Sequence, residues 1–334
     1  MTRLITTRRR FIASSAAAGL FAPTIVNAQA VAAWPSAKPI RMVVPFGTGG
    51  GTDITMRLLG PKLSQILGQA VVIENRPGAG STTGTDYVAK SPPDGYLFVL
   101  ATLSSTGVAK GLYANLPYDP VKDLTAIALT NFIPICHSVT RKGLDVKNTQ
   151  EWVAALKANP NKYSYGSSGV GSTGHITSAN FLQRTGTEAT HVPYRGAGQV
   201  FLAMAAGEVQ FNSDIPSLMK EYHEKDQVRI MFVATDERSS IIPDIPTASE
   251  VGLKDYRASS WYGIFGPAGL PSQITNRMAA AIEEALREPL INKRLEDMGT
   301  PAMLNYTPAK FAKYVSDEID LWVPITKASG AKAE

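Results

Sequence analysis

Cysteine is nearly absent from the chain: Cys136 is the only one. Intramolecular disulfides are therefore excluded, and the fold must be held by its core. Histidine is also scarce. His137, His175, His191 and His223 have neither i,i+4 spacing nor neighbouring cysteines, which argues against a metal site. No serine sits in G-x-S-x-G, and no P-loop occurs. Long apolar runs are missing too. The longest small and apolar stretch, Phe11 to Val26, is short and interrupted by Ser14, Ser15 and Pro23, a poor fit to a spanning helix of about 20 apolar residues.

Residues 1–30 lack acidic side chains altogether, while holding Arg3, Arg8, Arg9 and Arg10. A basic start, a short apolar segment and Ala28-Gln29-Ala30 form a secretory leader, expected to be cleaved near Ala30. Thr7-Arg8-Arg9-Arg10-Phe11-Ile12 resembles a twin-arginine signal; a general secretory signal with a basic start is the alternative. The formal net charge of the full chain is +5. Without these four arginines, 29 basic residues face 28 acidic ones. The basic stripe of a nucleic-acid-binding surface is thus not expected.

What is present is an alternation of strands and helices. Ile40 to Val44 reads as a buried strand ending at Pro45. The following helix is expected to turn Ile54, Leu58, Leu59, Leu63, Ile66 and Leu67 inward and to stop at Gly68. Val71–Ile73 and Tyr96–Ala101 add strands, and a second unit of the same kind spans Glu151 to Ala234. Such alternation predicts parallel sheets with crossover helices. The apolar stretches Ala126–Ile135 and Trp261–Phe265 bracket the second unit and are taken as crossings between two lobes. The expected division is leader 1–30, lobe 1 from 31–131 plus 260–334, and lobe 2 from 132–259. Cys136 reads as a small core residue.

Four loops, 46–53, 78–84, 102–107 and 166–175, join Gly with Ser or Thr where a strand gives way to a helix. Exposed backbone N–H groups at helix starts favour anions, each end contributing about 0.3–1 kcal/mol. Four such loops together predict a ligand cleft at the carboxyl ends of the strands. Gly169-Val170-Gly171-Ser172-Thr173-Gly174 also reads G-x-G-x-x-G. The acidic partner expected about 20 residues on is missing, Glu188 coming too early. An exported α/β oxidoreductase using a dinucleotide is the alternative from another class.

Ile40-Arg41-Met42-Val43-Val44-Pro45-Phe46 with Gly49-Gly50 and Asp53 resembles the opening of the Bug/TctC extracytoplasmic solute receptors. Glu74 to Gly80, Leu116-Pro117-Tyr118-Asp119-Pro120, His191-Val192-Pro193-Tyr194-Arg195-Gly196, and Trp261-Tyr262-Gly263 to Pro267-Ala268-Gly269 continue the resemblance in order. It implies an α/β, two-lobed periplasmic binding protein of type II, its lobes joined by crossing strands and closing on a small carboxylate. The implied role is non-catalytic and needs no cofactor: a monomeric receptor that delivers its ligand to the membrane subunits of a tripartite tricarboxylate transporter. A receptor serving signalling is a further possibility.

Mapped residue by residue, the resemblance puts Phe46, Gly47, Thr48, Gly49 and Gly50, with Ser168, Gly169, Gly171 and Ser172, around one carboxylate. His175 opens the helix after the second loop, and Asp214 matches an acidic position facing the cleft. Ser81, Thr82, Thr102 and Ser104 are candidates for the ligand's far end. Thr48 stands where many members have Pro and Ser81 where Gly is common, so ligand specificity does not transfer. Tyr194 and Arg195 are further ligand candidates. Other readings stay open: Asp53 as a helix cap, Asp214 tying its turn through Asn212 and Ser213, His175 capping or packing its helix, Tyr194 and Trp261 as cleft wall or core, and Arg195 facing the ligand or on the surface.

Overall fold

The computed structural model describes residues 34–194 and 196–331; the expected leader and the candidate Arg195 lie outside the described residues. Strand β1 (Ile40–Val44), apolar except for Arg41, is buried at four of its five positions. It lies in the middle of a parallel trio with β2 (Val71–Asn75) and β3 (Leu97–Thr102). Helix α1 (Gly51–Leu67) crosses from β1 to β2, and α2 (Thr82–Ala89) leads from β2 to β3. The phase of α1 differs from the expected one. Met56, Leu59, Leu63 and Leu67 are buried, while Ile54 is 40% exposed. A stripe three to four residues apart can point only one way, and the branched side chain at the first turn falls outside it.

The first sheet has the order β2-β1-β3-β10-β4, with β4 spanning Leu124–Pro134 and β10 spanning Ser259–Pro267. Strand β10 runs antiparallel to both neighbours, so the parallel expectation holds for the trio and fails for the crossing strands. Helices α8 (Ser272–Arg287), α9 (Pro289–Asp297) and α10 (Pro308–Ala328) follow; α8 and α10 cover it. Between α2 and β4 lies the short helix α3 (Gly107–Leu112), against which α10 packs.

The second sheet has the order β7-β6-β8-β5-β9. Its strands are β5 (Cys136–Thr140), β6 (Ser164–Ser167), β7 (Thr190–Pro193), β8 (Phe211–Asp214) and β9 (Val228–Val233). Helices α4 (Thr149–Ala158), α5 (Thr173–Thr185), α6 (Ala197–Ala206) and α7 (Pro216–Glu224) complete the unit. Strand β5 begins one residue after β4 ends, so one crossing is nearly continuous strand. The return joins it by backbone bonds: the Ala234 N–H donates to the Ile135 carbonyl at 2.8 Å, and the Ala258 N–H to the Ala234 carbonyl at 2.8 Å. Both predicted apolar stretches are therefore strands of the first sheet, and the crossings sit at their ends.

Cys136 is buried beside Met219, with Sγ to Sδ 3.1 Å, as a small core residue would be. His137 is also fully buried, among Trp152, Phe181, Phe232 and Tyr256. Both of its ring nitrogens have partners, the Ser213 and Tyr256 hydroxyls at 2.9 Å each, and burial holds its pKa down to about 3. Among the described residues no helix is long and apolar enough to cross a membrane.

Trp261 packs edge-on against Phe311, with ring centroids 5.7 Å apart, and is fully buried. Gly263, two residues on, lets β10 run against the Phe311 ring: a β-carbon there would overlap it. Phe311 cannot yield, being itself buried between Trp261 and Phe265. Gly263→Ala should therefore destabilise the fold by about 1–3 kcal/mol, read by denaturant unfolding. An unchanged midpoint would mean that the ring repacks freely.

Candidate functional site

The first loop owes its shape to one carboxylate. Asp53, in the first turn of α1, accepts from the Gly49 N–H at 2.9 Å, from Arg57 Nε at 2.9 Å and from Asn75 Nδ2 at 2.9 Å. Asn75 Nδ2 also reaches the Phe46 carbonyl at 3.2 Å. Held chiefly by the Arg57 guanidinium, the Asp53 carboxyl falls to about 2. The cap reading thus holds in modified form: Gly50 is the N-cap, and Asp53 ties the loop from inside the helix. Phe46 is half-buried, whereas Gly47, Thr48, Gly49 and Gly50 are exposed. The N–H groups of the first turn of α1 have no intrahelical acceptor and remain available to a ligand.

The second loop follows β6 and opens α5. Ser172 caps the helix, its Oγ accepting from the His175 N–H at 3.3 Å. Ser168 is exposed, Gly169 half-buried and Gly171 buried. His175 is buried and stacks on His191 of β7, ring centroids 3.7 Å apart and planes within 7°. Burial holds both rings neutral, His175 to about 3 and His191 to about 4. Tyr194 follows β7, its N–H bonded to the Ser167 carbonyl at 2.8 Å, so it belongs to the wall of this loop. The G-x-G-x-x-G segment has its strand and helix in place. However, β7 ends at Pro193 followed by Tyr194, where a dinucleotide fold needs an acid.

The remaining loops bring the two sheets together. Thr102 closes its turn through Oγ1, which accepts from the Ser104 N–H at 3.1 Å. Ser104 Oγ lies 3.3 Å from Thr173 Oγ1, at the start of α5. Ser81, at a φ of 84°, turns its hydroxyl onto the Gly80 carbonyl, and Thr82 Oγ1 donates to the Ala79 carbonyl at 2.8 Å. Of these four hydroxyls, Ser104 alone bridges to the other sheet's elements. Leu112 meets Gly171 from the first-sheet side closely enough that a β-carbon on Gly171 would overlap it.

Asp214 ends β8. Its Oδ1 accepts from the Ile215 N–H at 2.9 Å, while Asn212 bonds Ser138 and Ser213 bonds Ser178 and His137. The turn is therefore not tied through Asn212 and Ser213 to the carboxylate. Burial pushes the Asp214 carboxyl up to about 6; burial first, and then the Asp214 charge, raises the Tyr262 phenol. Tyr262 was missed by the sequence reading. It pairs with Thr102 across β10 and β3, and its hydroxyl sits beside Gly51 at the start of α1. Trp261 occupies the core, its Nε1 donating to Glu318 at 3.2 Å. The alternation of a strand then puts its neighbour on the other face, and that alternation was the available signal. Tyr262 thus links the first loop, the third loop and the field of Asp214.

Two sheets of mixed strands, crossed twice, with glycine loops meeting between them, make a two-lobed binding protein of the periplasmic type. MatC from Rhodopseudomonas palustris, solved with bound malate, is similar at a TM-score of 0.79 and 29% identity, covering 87% of this chain and 99% of that one. An R. palustris protein solved with adipate is similar at a TM-score of 0.80 and 31% identity, covering 90% and 99%. BugT of Bordetella pertussis is 31% identical over 333 residues, 99% of each chain. Residues 55–331 match the tripartite tricarboxylate transporter family receptor, TctC, and the chain belongs to that family. It is a solute-binding receptor, not an enzyme.

Asp214 supplies a pH-dependent test. Its folded carboxyl takes up a proton near pH 6, its unfolded one near 3.8. Between those values the folded chain binds more protons, so the contribution to stability is complete below about pH 4 and lost as pH rises through 6. Asp214→Asn should therefore stabilise the protein by about 1–2 kcal/mol at pH 7.5 and leave it unchanged at pH 4. Equal differences at both pH values in denaturant unfolding would contradict this.

Proposed function

We propose that this receptor captures a small organic carboxylate between its lobes and delivers it to the membrane subunits of a tripartite tricarboxylate transporter. Its lobes are residues 31–131 with 260–334, and 132–259, and it works as a monomer in the periplasm after losing residues 1–30. The observation that carries the reading is that Tyr262 stands beside the start of α1 and Ser104 beside the start of α5, each helix preceded by a glycine loop, while Tyr262 pairs with Thr102, two residues from Ser104. An anion there is held by oriented N–H groups, without a partner cation. Phe46 to Gly50 and Ser168 to Ser172 take one carboxylate. Thr102, Ser104 and Tyr262, with Ser81 and Thr82 behind them, face the rest of the ligand. The similar proteins solved with malate and adipate support this class of ligand.

Calorimetry against aliphatic and aromatic mono-, di- and tricarboxylates tests the class, with malate and adipate first in the panel. Binding of at least one acid, with a matching rise in Tm, is expected; no stabilisation by any of them would sink the carboxylate reading. Gly50→Val tests the first loop. Gly50 has φ −78° and ψ 166°, open to any residue, and a β-carbon there meets nothing nearer than the Gly47 carbonyl at 3.8 Å. The variant should fold with little change in Tm and lose at least about tenfold in affinity, because the branched side chain blocks approach to the N–H groups. Undiminished affinity would reduce this loop to a turn.

A further inference from the structure

The motif His191 to Gly196 contributes more to the second loop than the ligand reading uses. Ser167, the last residue of β6, donates its hydroxyl to the Gly169 carbonyl at 2.9 Å and accepts from the Gly169 N–H at 3.3 Å. Its third contact is His191 Nε2 at 2.7 Å. With the serine proton spent on Gly169, the imidazole is the donor, and His191 carries its proton on Nε2. On the other side of the stack, the Gly171 N–H donates to His175 Nδ1 at 3.2 Å. His175 therefore accepts at Nδ1 and also carries its proton on Nε2. Tyr165 flanks the two rings, its centroid 4.9 Å from that of His191 and 6.1 Å from that of His175. Two parallel rings 3.7 Å apart suit neutral imidazoles, since two cations so placed would repel.

We propose that His191 and His175 act as one neutral pair that positions the second glycine loop, His191 through Ser167 and His175 through the Gly171 amide. The proposal rests on reading that loop as a wall of the ligand cleft, and it gives His175 a different task from direct contact. Gly169 and Gly171 have φ of 134° and 75°, so both ends of the pair hold residues with many alternative conformations. Fixing their N–H groups internally leaves the other amides of the loop in one arrangement, ready for an anion.

Two variants separate ring from donor. His191→Phe keeps the stacked ring and removes the bond to Ser167; His191→Gln restores a donor without the ring. Nitrogen NMR of the wild-type imidazoles at pH 7.5 should show both histidines protonated at Nε2 alone. Amide exchange at Gly169, whose N–H is held by Ser167, should speed up about tenfold or more in H191F and return toward wild type in H191Q, with β5 amides unchanged in both. Affinity for malate or adipate should weaken about tenfold in H191F. A His175 protonated at Nδ1, or unchanged Gly169 exchange in H191F, overturns the proposal. Should H191F fail to fold, His191→Ala removes the same bond, and Gly169 exchange decides in the same way. A wild-type chain that binds neither acid counts against the ligand class, while the exchange data still judge the pair.

Discussion

Strand β10 is hydrogen-bonded on both sides, to β3 and to β4, and the placement of the cleft follows from that double pairing. Its register with β3 brings Tyr262 opposite Thr102. Its register with β4 brings Ser259 opposite Pro134, at the point where the chain leaves for the second sheet. One strand therefore fixes both the floor of the cleft and the geometry of the crossing. Its inward side chains, Trp261 and Phe265, are buried against α10, so the outward ones cannot rotate away from the loops they meet.

On the proposed reading, anion affinity is a property of backbone more than of side chains. Arg57, beside the first loop, is bound to Asp53 and Asn75 and serves to hold the loop. Arg41 and Arg76 both pair with Glu74 at the sheet edge. Partly exposed pairs of this kind contribute about 0–1 kcal/mol each. The two histidines beside the second loop are neutral, so they add no charge. What remains is a set of N–H dipoles held in place by Asp53 on one side and by the imidazole stack on the other. Asp214 adds a negative group nearby, with a consequence for ligands carrying a second charge: they meet repulsion once that carboxyl ionises.

Much of this was legible in the sequence. Glycine with serine or threonine at strand-to-helix joins is a local signal, and all four such loops lie where expected. Cys136 and the two crossing stretches were readable for the same reason, since an apolar run between polar loops has few places to go. Other features depend on partners distant in sequence. Ile54 fits the helical spacing but falls off the buried stripe, because the phase of α1 is set by the sheet beneath it. Tyr262 stands beside a tryptophan in a strongly apolar strand, and only its packing shows that it, and not the tryptophan, reaches the start of α1. His191 gives no sign of its role until β7 lies beside β6, which brings its ring within reach of Ser167. The hydroxyls of Ser81 and Thr82 looked equivalent to that of Ser104, yet local carbonyls engage them first.

The double pairing of β10 also bears on the order of assembly. All five strands of the second sheet lie between residues 136 and 233, so that sheet has every partner it needs before β10 leaves the ribosome. The first sheet stays split until then, because β10 is the strip that joins β3 to β4. Its closure spans well over a hundred residues, a loop whose entropic cost grows only slowly with length but whose search is slow. A chain cut short before Ser259 would keep one complete sheet and leave the other as two unjoined pieces.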